Sequence, residues 1–227
     1  MSETTKRHQL DADPVEVLYS LPTMDRLMTA LRADGFLFER LGPVEEIKAE
    51  EGVLRIAGAC QNLALDTTKL SQVHFDTSSQ MRGKIYPRFD FLAADESVLF
   101  SVIGLEGLDP FEKALSGYQR IPVEARPRPK PSDEEPDLQN DPAGSFLESL
   151  VDGPKVTVTA TTPAATQSWT GKITEVRPAG GCFNLLVKDF HLHLPAACLG
   201  GWKQNGKKHQ GILLDGSPSA LEIEIQP

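Results

Sequence analysis

Two histidines stand two residues apart in the string Phe190-His191-Leu192-His193-Leu194. On a strand this spacing sends both imidazoles to one face and Phe190, Leu192 and Leu194 to the other. A neutral imidazole is a good donor to borderline metal ions, so two on one sheet face could hold a metal or flank a haem iron. The same spacing suits surface or interface histidines that make ordinary hydrogen bonds, and the sequence shows no third ligand. His74 stands alone, which points to a structural role before a chemical one. Arg82, Lys84 and Arg88, with Tyr86 between them, make a basic patch, and Lys203, Lys207 and Lys208 form another. Such cations can bind a pair of carboxylates, or simply protect a solvated sheet edge.

Other chemistries lack their residues. There is no nucleophile elbow, phosphate-binding Walker loop, dinucleotide fingerprint or H-E-x-x-H. A net charge of −9 argues against a nucleic-acid footprint, which needs a basic face. Three cysteines, Cys60, Cys182 and Cys198, are odd in number and have no C-x-x-C spacing, so neither a disulfide framework nor a zinc site is expected. The first ten residues have no apolar stretch, and no run approaches the length of a membrane span, so the cytoplasm is the expected compartment.

The elements that must position these residues occur twice. Val44, Ile47, Gly52, Leu54, Ile56, Leu63, Leu65, Leu70 and Val73 recur at one constant offset as Ile173, Val176, Gly181, Phe183, Leu185, Leu192, Leu194, Leu199 and Trp202. At a second, shorter offset, Phe89, Phe91, Val98, Phe100 and Val102 meet Ile212, Leu214, Leu221, Ile223 and Ile225. The apolar period in these stretches is two, the signature of half-buried strands. The chain therefore reads as two copies of one β-rich unit.

In order, residues 1–13 are expected to be a disordered N-terminus, 14–120 a first β unit with helices, 121–143 a Pro-rich charged linker, and 144–227 a second β unit. A short helix ends at Pro22. A second is expected from Thr23, with Met24, Leu27, Met28 and Leu31 on one face and Asp34-Gly35 as its C-cap. Phe89 and Phe91 turn at 93–96 into Val98, Phe100 and Val102 as a hairpin. Pro110 opens a helix that carries Phe111, Leu115 and Tyr118. Residues 160–167 are read as an inserted loop. The run Arg126-Pro-Arg-Pro-Lys-Pro131 favours extended polyproline II, either as a spacer or as a docking peptide for a protein partner.

Several strings together resemble a known family. Leu41-Gly-Pro-Val-Glu-Glu-Ile47, Leu63-Ala-Leu65, Met81-Arg82-Gly83, Phe89-Asp-Phe91 and Val98-Leu-Phe100 look like the single-unit haem-utilisation proteins of the ChuX/HutX type. Cys182-Phe183-Asn184-Leu185, then Asp189-Phe190-His191-Leu192-His193-Leu194, then Gly201-Trp202-Lys203 look like the C-terminal half of the HemS/ChuS type. The resemblance implies an α+β fold: a tandem duplication of an antiparallel split-barrel-like β unit with short flanking helices. It further implies a haem cofactor and a carrier or haem-degrading role. His193, His191, His74, Arg82, Lys84, Tyr86, Arg88 and Lys203 are the candidate cofactor-binding residues, with His193 and His191 as metal ligands. Residues 119–150 contain no histidine, and the strand Leu63-Ala64-Leu65-Asp66 has no arginine, where two-copy members carry functional residues. The competing expectation is therefore a non-catalytic interaction module on the same scaffold. Whether the chain forms a homodimer stays open at this level.

Overall fold

The computed structural model describes residues 6–126 and 137–227. The chain divides into two compact units, Met1–Ala30 with Leu41–Lys130, and Leu31–Arg40 with Pro131–Pro227. The first half contains β1 (Arg7–Asp11), α1 (Pro14–Tyr19), β2 (Leu27–Ala33), β3 (Phe36–Gly42), β4 (Glu46–Glu50), β5 (Val53–Gly58), β6 (Gln61–Asp66), β7 (Gln72–Asp76), β8 (Gln80–Met81), β9 (Lys84–Ile85), β10 (Arg88–Leu92), β11 (Val98–Gly104), α2 (Asp109–Ala114) and β12 (Gln119–Pro122). The second contains α3 (Gly144–Ser149), β13 (Val156–Thr161), β14 (Ala165–Gly171), β15 (Val176–Ala179), β16 (Cys182–Val187), β17 (Phe190–Pro195), β18 (Gly201–Asn205), β19 (Lys208–Ile212) and β20 (Pro218–Ile225). The fold is α+β with antiparallel ladders, as the sequence implies. Among the described residues no helix is long and apolar enough to cross a membrane.

The first unit orders its main sheet β12-β1-β7-β10-β11-β2, beside a β6-β5-β4 meander. Phe75 lies opposite Phe89, and Phe89 opposite Val102, so one face of the main sheet is apolar. Phe111 of α2 packs onto that face, 4.6 Å from Phe89 and 6.0 Å from Phe75 between ring centroids. The second unit orders β18-β19-β20-β13-β14 in one sheet and β3-β17-β16-β15 in the other. Its core is Phe36, Phe38, Phe183, Phe190 and Leu192, all essentially without exposure. Removing each such side chain from water stabilises the fold by about 1.5–3 kcal/mol.

The duplication is visible in the pairing itself. Ile47 pairs with Ile56, and their repeat mates Val176 and Leu185 pair in the same way. Leu54–Leu65 and Ile56–Leu63 are likewise matched by Phe183–Leu194 and Leu185–Leu192. Identical register in both copies follows from keeping one face apolar, because a one-residue slip would turn every side chain over. The second offset holds for β20 but not for β19. There Ile223 lies opposite His209, whereas Leu214 is 70% exposed in the following turn. A register shift between Gln210 and Ile212 breaks the spacing that the sequence comparison assumed.

Four local expectations need correction. The segment expected as a helix over Met24–Leu31 contains strand β2. Leu27, Thr29 and Leu31 are all buried at period two, and Ala30 is buried as well, so burial on both faces imitates a helical stripe. Thr29, whose polarity hides the alternation, donates its hydroxyl to Gln61 Oε1 at 2.8 Å. Asp34 and Gly35 have φ of 47° and 89°, the paired positive angles of a two-residue hairpin turn rather than a helix cap. Residues 160–167 are the tip of the β13–β14 hairpin, paired from Val156–Gly171 to Thr161–Thr166. Part of the supposedly disordered start, Arg7–Asp11, is a strand laddered on both sides by β7 and β12. Its alternation was too short to register above its polar composition. Of the Pro-rich run at 126–131, only Arg126 lies among the described residues.

Candidate functional site

β3 enters the second unit by laddering onto β17. Its register sets Glu39 opposite His191, Phe38 opposite Leu192 and Leu37 opposite His193. Directly opposed residues share a sheet face, so Glu39, His191 and His193 form one group. The opposite face carries Phe38 and Phe190, with ring centroids 4.8 Å apart, and Trp169 stacks on Phe190 at 4.6 Å. The apolar alternation of β17 therefore fixes where both imidazoles point.

The polar face has a definite arrangement. Glu39 Oε2 lies 3.3 Å from His191 Nδ1 and 3.4 Å from His193 Nε2. The Glu39 side chain is only 10% exposed, while those of His191 and His193 are 29% and 31% exposed. Burial raises the Glu39 carboxyl, but its contacts with His191 and His193 outweigh that and hold it down at about 2. It is an anion under all ordinary conditions. His193 Nδ1 lies 2.6 Å from Asn184 Oδ1. The orientation of that amide is set by its nitrogen, which faces the carbonyls of Arg177, Ala179 and Cys182 at 3.0–3.1 Å. Asn184 thus presents an acceptor to His193, whose Nδ1 donates. The Nε2 of His191 is not buried and has no hydrogen bond among the described residues.

β15 extends this face, since Arg177 lies opposite Asn184. Arg177 is exposed and forked onto Glu175 at 3.0 Å. Lys203 lies on exposed β18, opposite Gln210.

The remaining candidates belong to the first unit. His74 is 6% exposed and sits in a row with Gln9, Asp90 and Ser101, on the polar face of the main sheet. Burial, then the nearby Arg7, lowers its pKa, so it is a neutral imidazole. Its Nε2 faces Gln72 Oε1 at 3.3 Å, and its Nδ1 is buried without a hydrogen bond. Arg88 is engaged by carboxylates of its own unit, Asp76 and Asp90, each at 3.0 Å. Arg82 (φ 51°), Lys84 and Tyr86 cluster around the small β8–β9 hairpin. Lys84 lies 3.9 Å from Glu106 and 5.9 Å from the Tyr86 ring centroid. The structure therefore brings His191 and His193 together, keeps Arg82, Lys84 and Tyr86 as an exposed group, and places His74 and Arg88 in a buried polar network.

Glu39, Asn184 and Arg177 were not anticipated as site residues. Glu39 could have been found from Phe36 and Phe38, which alternate directly after the Asp34-Gly35 turn and mark a strand. Arg177 is the repeat mate of Lys48 on the polar face of the same meander. Nothing in the sequence signals the pairing of Glu39 with His191, because it joins strands from opposite ends of the chain.

No protein-family model matches the sequence, and no curated protein matches it. Solved structures do. E. coli ChuS, described as a haem oxygenase, aligns with a TM-score of 0.75 at 14% identity, covering 98% of this chain and 84% of that one. Holo-PhuS, a haem-binding protein from Pseudomonas aeruginosa, aligns with a TM-score of 0.72 at 14% identity, covering 98% of this chain and 82% of that one. The fold is that of these HemS/ChuS-type proteins along nearly its whole length.

Proposed function

We propose that this protein binds a haem-class tetrapyrrole, with His191 Nε2 as the iron ligand, in the manner of a cytoplasmic carrier in haem-iron utilisation. The observation that carries the reading is the state of His191. Its Nδ1 is turned to an anionic carboxylate, the side chain is 29% exposed, and its Nε2 has no hydrogen bond among the described residues. A carboxylate behind a ligating imidazole fixes the tautomer, orients the ring and raises its basicity, which is how metal-bound histidines are usually supported. The donor set therefore suits haem iron. Bound haem would supply a redox-active iron, and His191 is the residue of this face that would hold it. His193 directs its Nε2 at Glu39 and so serves as a neighbour to the iron ligand. Arg177 lies on this face across Asn184 from His193 and would exchange its Glu175 contact for a haem carboxylate.

The likeness to ChuS and PhuS supports the tetrapyrrole class; the choice of ligand rests on this chain's residues. Haemin titration of the pure protein tests it, with His191→Ala and His193→Ala alongside. A saturable one-to-one Soret shift is expected for the wild type and for His193→Ala, and its loss for His191→Ala. No saturation in the wild type would overturn the reading in favour of an interaction module on this scaffold. Adding a reductant and oxygen to the complex separates carrier from degrader: a carrier keeps its Soret band, whereas a degrader loses it.

A further inference from the structure

We infer that Glu39, His191 and His193 form a binding site for a bare divalent transition-metal ion, such as iron(II) or zinc(II), coordinated by Glu39 Oε2, His191 Nδ1 and His193 Nε2. The three donor atoms all lie within 4.8 Å of one another. Hydrogen bonding around the cluster prepares them for a cation. Asn184 Oδ1 accepts at 2.6 Å from His193 Nδ1, and the amide cannot turn without setting its oxygen against three carbonyls. The second nitrogen of His193 faces the carboxylate of Glu39 at 3.4 Å. A carboxylate only 10% exposed, turned to two imidazole nitrogens, is stabilised by a positive charge beside it.

That charge could be a proton or a metal ion, and the distances favour the metal. Charge-assisted N–H···O contacts close to about 2.7–2.9 Å. Here both carboxylate contacts are longer, at 3.3 and 3.4 Å. Nitrogen and oxygen donors about 2.05 Å from a tetrahedral zinc stand roughly 3.3 Å apart. The Glu39 edges of the cluster already have that separation, while the His191–His193 edge, within 4.8 Å, closes by ring rotation when both donors take one ion. Two imidazoles and one carboxylate are the donors of the facial triad that holds iron(II), and they leave coordination positions open. Asn184 acts behind His193 as the orienting partner such ligands require. When the ion binds His191 Nδ1, the proton of that ring resides on Nε2, and any extra proton on His193 leaves to solvent.

The inference stands on this geometry and does not need the haem reading. Cobalt(II) titration of the haem-free, full-length protein tests it by the ligand-field absorption of the bound ion, with zinc(II) as competitor. We expect one-to-one cobalt binding that zinc displaces. Affinity should fall at least about tenfold in Glu39→Gln and His193→Ala, and about 10- to 100-fold in Asn184→Ala. Tryptophan fluorescence shows whether each variant remains folded. Cobalt affinity unchanged in both Glu39→Gln and His193→Ala, or no cobalt spectrum in the wild type, would overturn the site and leave an imidazolium–carboxylate pair. His193→Ala separates the two readings, since it should lose the cobalt spectrum and keep the haemin Soret shift.

Discussion

Replacing Phe190 by alanine tests the register that sets the imidazole face. Phe190 is wholly buried, with Phe38 at 4.8 Å on one side and Trp169 stacked at 4.6 Å on the other. Deleting a buried phenylalanine ring costs about 3–5 kcal/mol, and two lost aromatic contacts place this site in the upper part of that range. With a urea slope of about 1.5 kcal/mol per M, a loss of about 4 kcal/mol lowers the midpoint by nearly 3 M. Both tryptophans, Trp169 and Trp202, belong to the second unit, so their fluorescence in a urea titration follows that unit's unfolding. His191→Ala, on the opposite and partly exposed face of the same strand, should cost no more than about 1.5 kcal/mol. A Phe190→Ala loss below about 1 kcal/mol, or a larger loss for His191→Ala, would refute the assignment of faces on β17.

Gly144→Ala should destabilise the second unit by about 1–3 kcal/mol, because a Cβ there would lie 2.1 Å from Cζ of the buried Phe183 ring; thermal unfolding followed by fluorescence measures it. Cys198 should alkylate about a hundredfold more slowly at pH 8 than an ordinary exposed thiol, since burial, then Asp34 and Asp141, push its pKa up to about 11. The sign follows from the thiolate being the nucleophile, so its rate should climb until pH passes about 11; mass spectrometry of iodoacetamide-treated protein reads this. Preloading with zinc(II) should weaken haemin binding at least about tenfold, because the metal moves the His191 proton onto the nitrogen that haem iron needs. Equal Soret titrations with and without zinc would contradict that coupling.

Much of the architecture is legible in the sequence because the repeat preserves pairing as well as composition. Ile47–Ile56 and Val176–Leu185 share both an offset and a register, so repeat mates predict partners. The failure over Leu27–Leu31 has a physical cause. A strand buried on both faces loses the alternation that distinguishes it, and buried Thr29 completes the disguise. His191 and His193 were readable as a same-face pair from their spacing alone. Their anionic partner was not, since Glu39 reaches them only through the β3–β17 ladder, across most of the chain's length. Arg88 illustrates the converse. It looked available for a ligand's carboxylates, but Asp76 and Asp90 already occupy it. Composition reveals a cation; only the folded register reveals whether its charge is spoken for.

Chemical rescue tests the assignment of His191 Nε2 as the iron ligand. His191→Gly removes the ring and leaves space for free imidazole. The haemin complex of this variant should lack the wild-type Soret position until imidazole is added, and then regain it in a saturable way. A His191→Gly spectrum identical to the wild type before rescue would contradict the claim, as would one that imidazole leaves unchanged.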